Sequence, residues 1–167
     1  PSEDRYDRLD GALLMLGFCY SDETSAQRDE MAARKVFHQL IDEMPESDLA
    51  DRSHLFLGNY AFADSDYPEA IAQYSKVMEK GEDSPYFNEA IYQLAWARYK
   101  LSGYDAALTL FTRLLDLSVE SKRASGEDLP YAPDAVRFMA FSFADIAGDE
   151  GREAVTVANE FFARVKE

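Results

Sequence analysis

The feature that most constrains this chain is a pattern that returns every 37 residues. Ala33, Phe37 and Leu40 recur as Ala70, Tyr74 and Val77, and again as Ala107, Phe111 and Leu114. All three positions advance by the same step both times. Repetition at a fixed spacing of this size marks an array of stacked units, none of which can bury its apolar face alone. It predicts helical hairpins, and so a binding surface more than a catalytic pocket.

Helical periodicity supports eight segments. The first is expected from about Asp4 to Ser21, with Leu9, Leu13, Leu16 and Tyr20 at helix spacing. The second ends near Met44, where Pro45 stops it. The third opens at Ser47 or Asp48, and Asp64-Ser65-Asp66 turns the chain into the fourth, which carries Pro68 and Glu69 in its first turn and stops at Gly81. Ser84-Pro85 opens the fifth, and Ser102-Gly103 turns it into the sixth, expected to end near Val119. The polar stretch SKRASGEDLPYAP (121–133) reads as the one long loop. A seventh helix is expected to Ala147, a turn at Gly148-Asp149-Glu150-Gly151, and an eighth over about Arg152 to Val165. No strand-like alternation persists, so the expected fold is all-α.

Composition narrows the partners. The net charge of −15 argues against nucleic acid, whose binding rests on Lys and Arg meeting phosphates, and against anionic membrane surfaces. A basic partner, or a neutral one reached through apolar contacts, fits better. The plainer reading is that the acidity only keeps the chain soluble. The single cysteine, Cys19, excludes an intrachain disulfide and reads as a small core residue within the apolar run 12–20. No apolar run approaches a membrane span, so no direct membrane insertion is expected. The start at Pro1 without a Met, and the end at Glu167 inside a helical pattern, lead us to expect a piece of a longer chain. Export signals or further repeats would then lie outside it.

The helix pairs carry more than a period. Leu57-Gly58 lies 12 residues before Ala70, and Leu94-Ala95 lies 12 before Ala107; Leu16-Gly17 bears the same relation to Ala33 with four residues added in between. The small residues Gly17, Gly58 and Ala95 are expected to let paired helices touch closely, received by Ala33, Ala70 and Ala107. Phe37, Tyr74 and Phe111 are expected to fill the gap towards the next repeat. This arrangement resembles the tetratricopeptide repeat. The resemblance implies an all-α, right-handed superhelical array of antiparallel helix pairs in a single domain over 1–167. Its repeats would cover about 5–45, 47–83 and 84–120, then a loop over 121–130 and a divergent repeat or cap over 131–167. The stretch from Ala90 to Ser118, with 132–145, is also similar to tandem-repeat proteins of delta-proteobacterial cell envelopes, some tied to gliding motility. It is more loosely similar to outer-membrane assembly lipoproteins. That resemblance implies a periplasmic or envelope setting.

Arrays of this family hold protein or peptide partners on the face lined by the first helix of each pair. On this chain that face is expected to carry Arg52, Leu55, Asn59, Phe62 and Ala63, then Glu89, Tyr92, Trp96, Tyr99 and Lys100, then Arg137, Phe141 and Ala144. The candidate binding residues are Arg52, Asn59, Phe62, Tyr92, Trp96, Tyr99, Lys100 and Arg137, because Tyr, Trp and Arg are the usual anchors. The competing reading is that these aromatics pack on one another and meet no ligand. Some family members grip a peptide carboxylate with Lys, Arg and Asn. Here Asn59 fits that set, but Leu55, Gln93, Asp134 and Phe138 stand where its other members belong, which argues against chaperone-tail recognition.

Nothing points to an enzyme. His38 and His54 lie on different helices, and the chain has no Gly-rich phosphate loop, HExxH, CxxC or GxSxG. The acidic groups at 64–66 and 145–150 lack calcium-loop spacing and read as caps. No cofactor or metal is expected. The leading expectation is a non-catalytic scaffold for a protein or peptide. Self-association into a homo-oligomer, and a regulatory appendage of a larger enzyme, stand beside it.

Overall fold

A computed structural model describes residues 8–165. Among these residues all regular structure is helical: α1 (Leu9–Ser21), α2 (Glu30–Glu43), α3 (Asp48–Ala63), α4 (Tyr67–Glu79), α5 (Phe87–Lys100), α6 (Tyr104–Ser125), α7 (Ala132–Glu150) and α8 (Ala154–Val165), with one 3₁₀ turn at Gly81–Asp83. The fold is an all-α helical repeat.

Local chemistry accounts for most of the ends. The side chains of Asp29, Ser47 and Asp66 accept hydrogen bonds from the backbone N–H groups of Ala32 (3.0 Å), Leu49 (3.1 Å) and Glu69 (3.2 Å), starting α2, α3 and α4. The acids at 64–66 thus include a helix cap. The two tight turns repeat at the backbone level. Asp66 N–H donates to Ala61 O at 2.8 Å and Gly103 N–H to Arg98 O at 2.9 Å, both pairs displaced by 37 residues. Ser65 and Ser102, again 37 apart, take φ of 63° and 57°.

The chain divides into two compact units, Pro1–Ala90 and Ile91–Glu167, the border falling inside α5. In the first unit α1 pairs with α2 and α3 with α4, and α2 also packs on α3. Leu13, Leu14, Ala33, Val36, Phe37, Leu40, Ala50 and Leu57 form one buried cluster. Gly17 and Gly58 are close-approach points, as the sequence predicted, and the nearest groups they meet are the rings of Phe37 and Tyr74. A Cβ on Gly17 would overlap the Phe37 ring, and one on Gly58 the Tyr74 ring. Phe37 also reaches the next pair, stacking on Phe56 of α3 at 5.3 Å. In the second unit α7 packs on both α6 and α8. Its buried residues include Ile91, Ala95, Leu108, Phe111, Leu114, Phe138, Phe143 and Phe161.

Five expectations need correcting. The segment 121–125 is the last turn of α6, not loop; Gly126, at φ 85°, ends the helix. The stretch 148–150 is the end of α7, and the stop is Gly151 at φ 64°. Cys19 is exposed, because it lies on the side of α1 facing away from α2 and α3. Leu55 is buried at 2% exposure and cannot belong to a binding face. The fifth helix begins at Phe87, after the turn at 81–83 uses Ser84 and Pro85 as its exit. The expected start of α1 at Asp4 lies outside the described residues.

Candidate functional site

The candidate residues fall into two groups, one in each unit. In the first unit they lie on α3. The Arg52 guanidinium sits over the rings of Phe18 (4.8 Å), Tyr86 (5.8 Å) and Phe56 (6.0 Å), with its stem partly covered. Asn59 has a structural duty: its Oδ1 accepts from the Tyr74 hydroxyl at 2.8 Å. That bond satisfies the one polar atom of a fully buried ring, and burial pushes the Tyr74 phenol well above its ordinary pKa. Phe62 meets Tyr67 edge to face at 5.2 Å across the α3–α4 turn.

Two polar sites in this unit had no sequence signal. Asp51 is buried, with Oδ1 3.2 Å from Lys80 Nζ, and its other carboxylate oxygen has no hydrogen-bond partner. Lys80 also donates to Ser47 O at 3.3 Å, so one ammonium ties the start of α3 to the end of α4. His54 Nδ1 lies 2.7 Å from Gln73 Oε1, and burial holds the imidazole below its ordinary pKa. This histidine is satisfied between two helices.

In the second unit the structure gathers Tyr92, Trp96, Tyr99, Lys100 and Arg137 on adjoining parts of α5 and α7. Helical spacing puts Tyr92, Trp96 and Tyr99 on one side of α5. Trp96 Nε1 donates to the Tyr92 hydroxyl at 3.0 Å. The Trp96 ring centre is 4.0 Å from that of Phe138 and 5.6 Å from that of Tyr99. Tyr92 stacks on Tyr131 at 4.9 Å. The Tyr99 hydroxyl donates to Asp145 Oδ2 at 2.6 Å, and that bond is the main reason its pKa is pushed up to about 12. Two cations edge the cluster. Lys100 lies 5.3 Å over Trp96; Arg137 lies 5.0 Å over Phe138 and pairs with Asp134 at 3.0 Å. Phe141 stands beside them, 48% exposed, its ring 5.8 Å from Phe138.

The aromatics are therefore partly mutual packing, with Lys100, Arg137 and Phe141 as the exposed margin. Phe138, Tyr131 and Asp145 complete the cluster from α7 and the residue before it. The sequence placed Phe138 at a clamp position of the face but gave no sign of Tyr131 or Asp145, or of how the three pack, because their partners lie roughly forty residues away with no fixed spacing to reveal the contact. What this arrangement leaves open to solvent is the Phe141 ring with Lys100 and Arg137 beside it. Among the described residues no three His, Cys, Asp or Glu side chains gather as metal ligands, and no helix is long and apolar enough to cross a membrane.

No curated protein matches the chain. A family profile described as a tetratricopeptide repeat-like domain matches residues 17–124, the span that holds Gly17–Phe37, Gly58–Tyr74 and Ala95–Phe111. Domains of this kind are typically non-catalytic scaffolds for protein partners. With nearly two thirds of its length matched and its close-packed helix pairs in the repeat positions, the chain belongs to the tetratricopeptide repeat-like family.

Proposed function

We propose that this chain is a non-catalytic interaction scaffold whose α5–α7 face in the second unit holds a protein or peptide segment. The observation that carries the reading is the aromatic cluster of Tyr92, Trp96 and Tyr99 with a margin of Lys100, Arg137 and the half-exposed Phe141. Aromatic anchors held rigid before binding lose little side-chain entropy on contact. At the margin Arg137 is already paired with Asp134, and Lys100 favours a segment with apolar side chains and an acidic group. In the first unit Arg52 and Phe62 meet different rings, and Asn59 is engaged by Tyr74, so the proposal rests on the second unit. The setting we propose for the partner, a bacterial cell-envelope complex, rests on the resemblance of residues 90–118 and 132–145 alone.

The test is a displayed library of random peptides panned on the purified chain. Bound clones should lose affinity about tenfold or more with Phe141→Ala or Lys100→Glu, changes at the exposed margin of the cluster, with circular dichroism melts to check that each variant keeps its fold. They should be indifferent to Arg123→Glu on α6. Clones insensitive to the α5–α7 substitutions, or no bound clones, would contradict the proposal.

A further inference from the structure

The helix α1 is uncharged from Gly11 to Tyr20, reading GALLMLGFCY, and is apolar around its whole circumference. A helix of that kind belongs in an interior, yet one side of it is open. The repeat identifies that side. Counted forward by the 37-residue step plus the four extra residues, Ala12, Met15, Leu16 and Cys19 of α1 correspond to Ser53, Phe56, Leu57 and Tyr60 of α3. Those α3 positions receive the helix before them. Phe56 stacks on Phe37 of α2, Leu57 is 4% exposed within the core shared with α2, and the Tyr60 ring lies 6.5 Å from Phe37. On α1, Met15 is 58% and Leu16 41% exposed, and Ala12 and Cys19 are exposed beside them. The stripe is a ready seat for the second helix of a pair.

One helix of this chain is a second helix with an apolar stripe of its own. Val155, Phe162 and Val165 of α8, at steps of seven and three, are 62%, 43% and 50% exposed. The charge of the molecule lies elsewhere. Of −15 in total, −2 comes from residues 1–7, −1 from 8–40 and −12 from 41–167, and α8 itself carries only Glu160 and Arg164. Both stripes are thus on nearly neutral ground in a strongly acidic chain.

We propose that copies of this chain stack head to tail, the Val155–Phe162–Val165 stripe of α8 in one copy seated on the Ala12–Met15–Leu16–Cys19 stripe of α1 in the next, as α2 is seated on α3. Such a contact is heterologous, joining two different surfaces, and assembly through it grows with concentration. The overall negative charge opposes it, so added salt promotes it.

Sedimentation velocity on the full chain over a wide concentration range tests this, with two single variants. Met15→Glu alters the seat, and Val155→Glu alters the other stripe in the first turn of α8, where an acid suits the helix dipole. Circular dichroism melts check that both fold; Leu16→Gln and Phe162→Ser replace either if it does not. The wild type should grow past a dimer as concentration and salt rise. Each variant alone should stay monomeric, and an equal mixture should form a dimer that grows no further, because each partner brings one intact stripe. A wild type that is monomeric throughout overturns the proposal and leaves the α1 seat to some other helix. A variant that still dimerises alone, or two folded variants that fail to pair, overturns it as well.

Discussion

At Gly58 a side chain has nowhere to go. The Tyr74 ring already fills the space a Cβ would take, and Asn59, the next residue, holds that ring by its hydroxyl. Gly58→Ala should therefore cost about 1–3 kcal/mol by overpacking, read as a lower urea midpoint with an unchanged slope. Gly148 is the control: it is helical with open space around its Cβ position, so Gly148→Ala should stabilise by about 1 kcal/mol. Lys80→Met should destabilise more than Lys76→Met, because the first leaves the buried Asp51 carboxylate without its cation while the second breaks only an exposed pair with Glu79. Tyr99 gives a pH signature. Its folded pKa is raised above that of an unfolded tyrosine, so its contribution is complete below about pH 10 and is lost as pH rises towards 12. Tyr99→Phe should remove one late-titrating phenol from the ultraviolet titration and flatten the fall in stability over that window. At this scale the sequence displayed the glycines and rings of the repeat, because each recurs at a fixed step. It hid the bonds Tyr99–Asp145 and Asp51–Lys80, which occur once and join different helices.

Among the elements, hairpin turns were more legible than helix ends. Asp64-Ser65-Asp66 and Ser102-Gly103 announce tight turns, and the structure builds both with the same backbone bonds. Left-handed backbone costs a residue with a Cβ roughly 1 kcal/mol or more, so Ser65→Gly and Ser102→Gly should each raise the melting temperature despite the added freedom of the unfolded chain. No change would mean that the serine side chains repay that strain through contacts. The polar run 121–125 misled because polarity marks an exposed helical turn as readily as a loop. Here Leu129 N–H returns to Ser118 Oγ at 3.0 Å and Lys122 pairs with Asp128 at 2.7 Å, holding the exit of α6 against its last turns. Gly148 misled for a related reason: a glycine stops a helix only where the backbone turns left-handed, and that happens at Gly151.

At the scale of the whole molecule, the profile match over 17–124 shows the family, and in the first two helix pairs the recurring contact is a glycine of the first helix against a ring of the second. The candidate binding face was legible in type, since aromatics and cations were placed on α5 and α7. Its internal packing through Phe138 and Tyr131 was not, because α7 departs from the repeat that made the other helices readable. The most direct test of the central contact is a nuclear Overhauser spectrum of the labelled chain. Strong cross-peaks should join the Gly17 α-protons to the Phe37 ring and the Gly58 α-protons to the Tyr74 ring, with both glycines shifted by ring currents. Glycine α-protons without those cross-peaks, at ordinary helical shifts, would contradict the layered helix pairs on which everything else here depends.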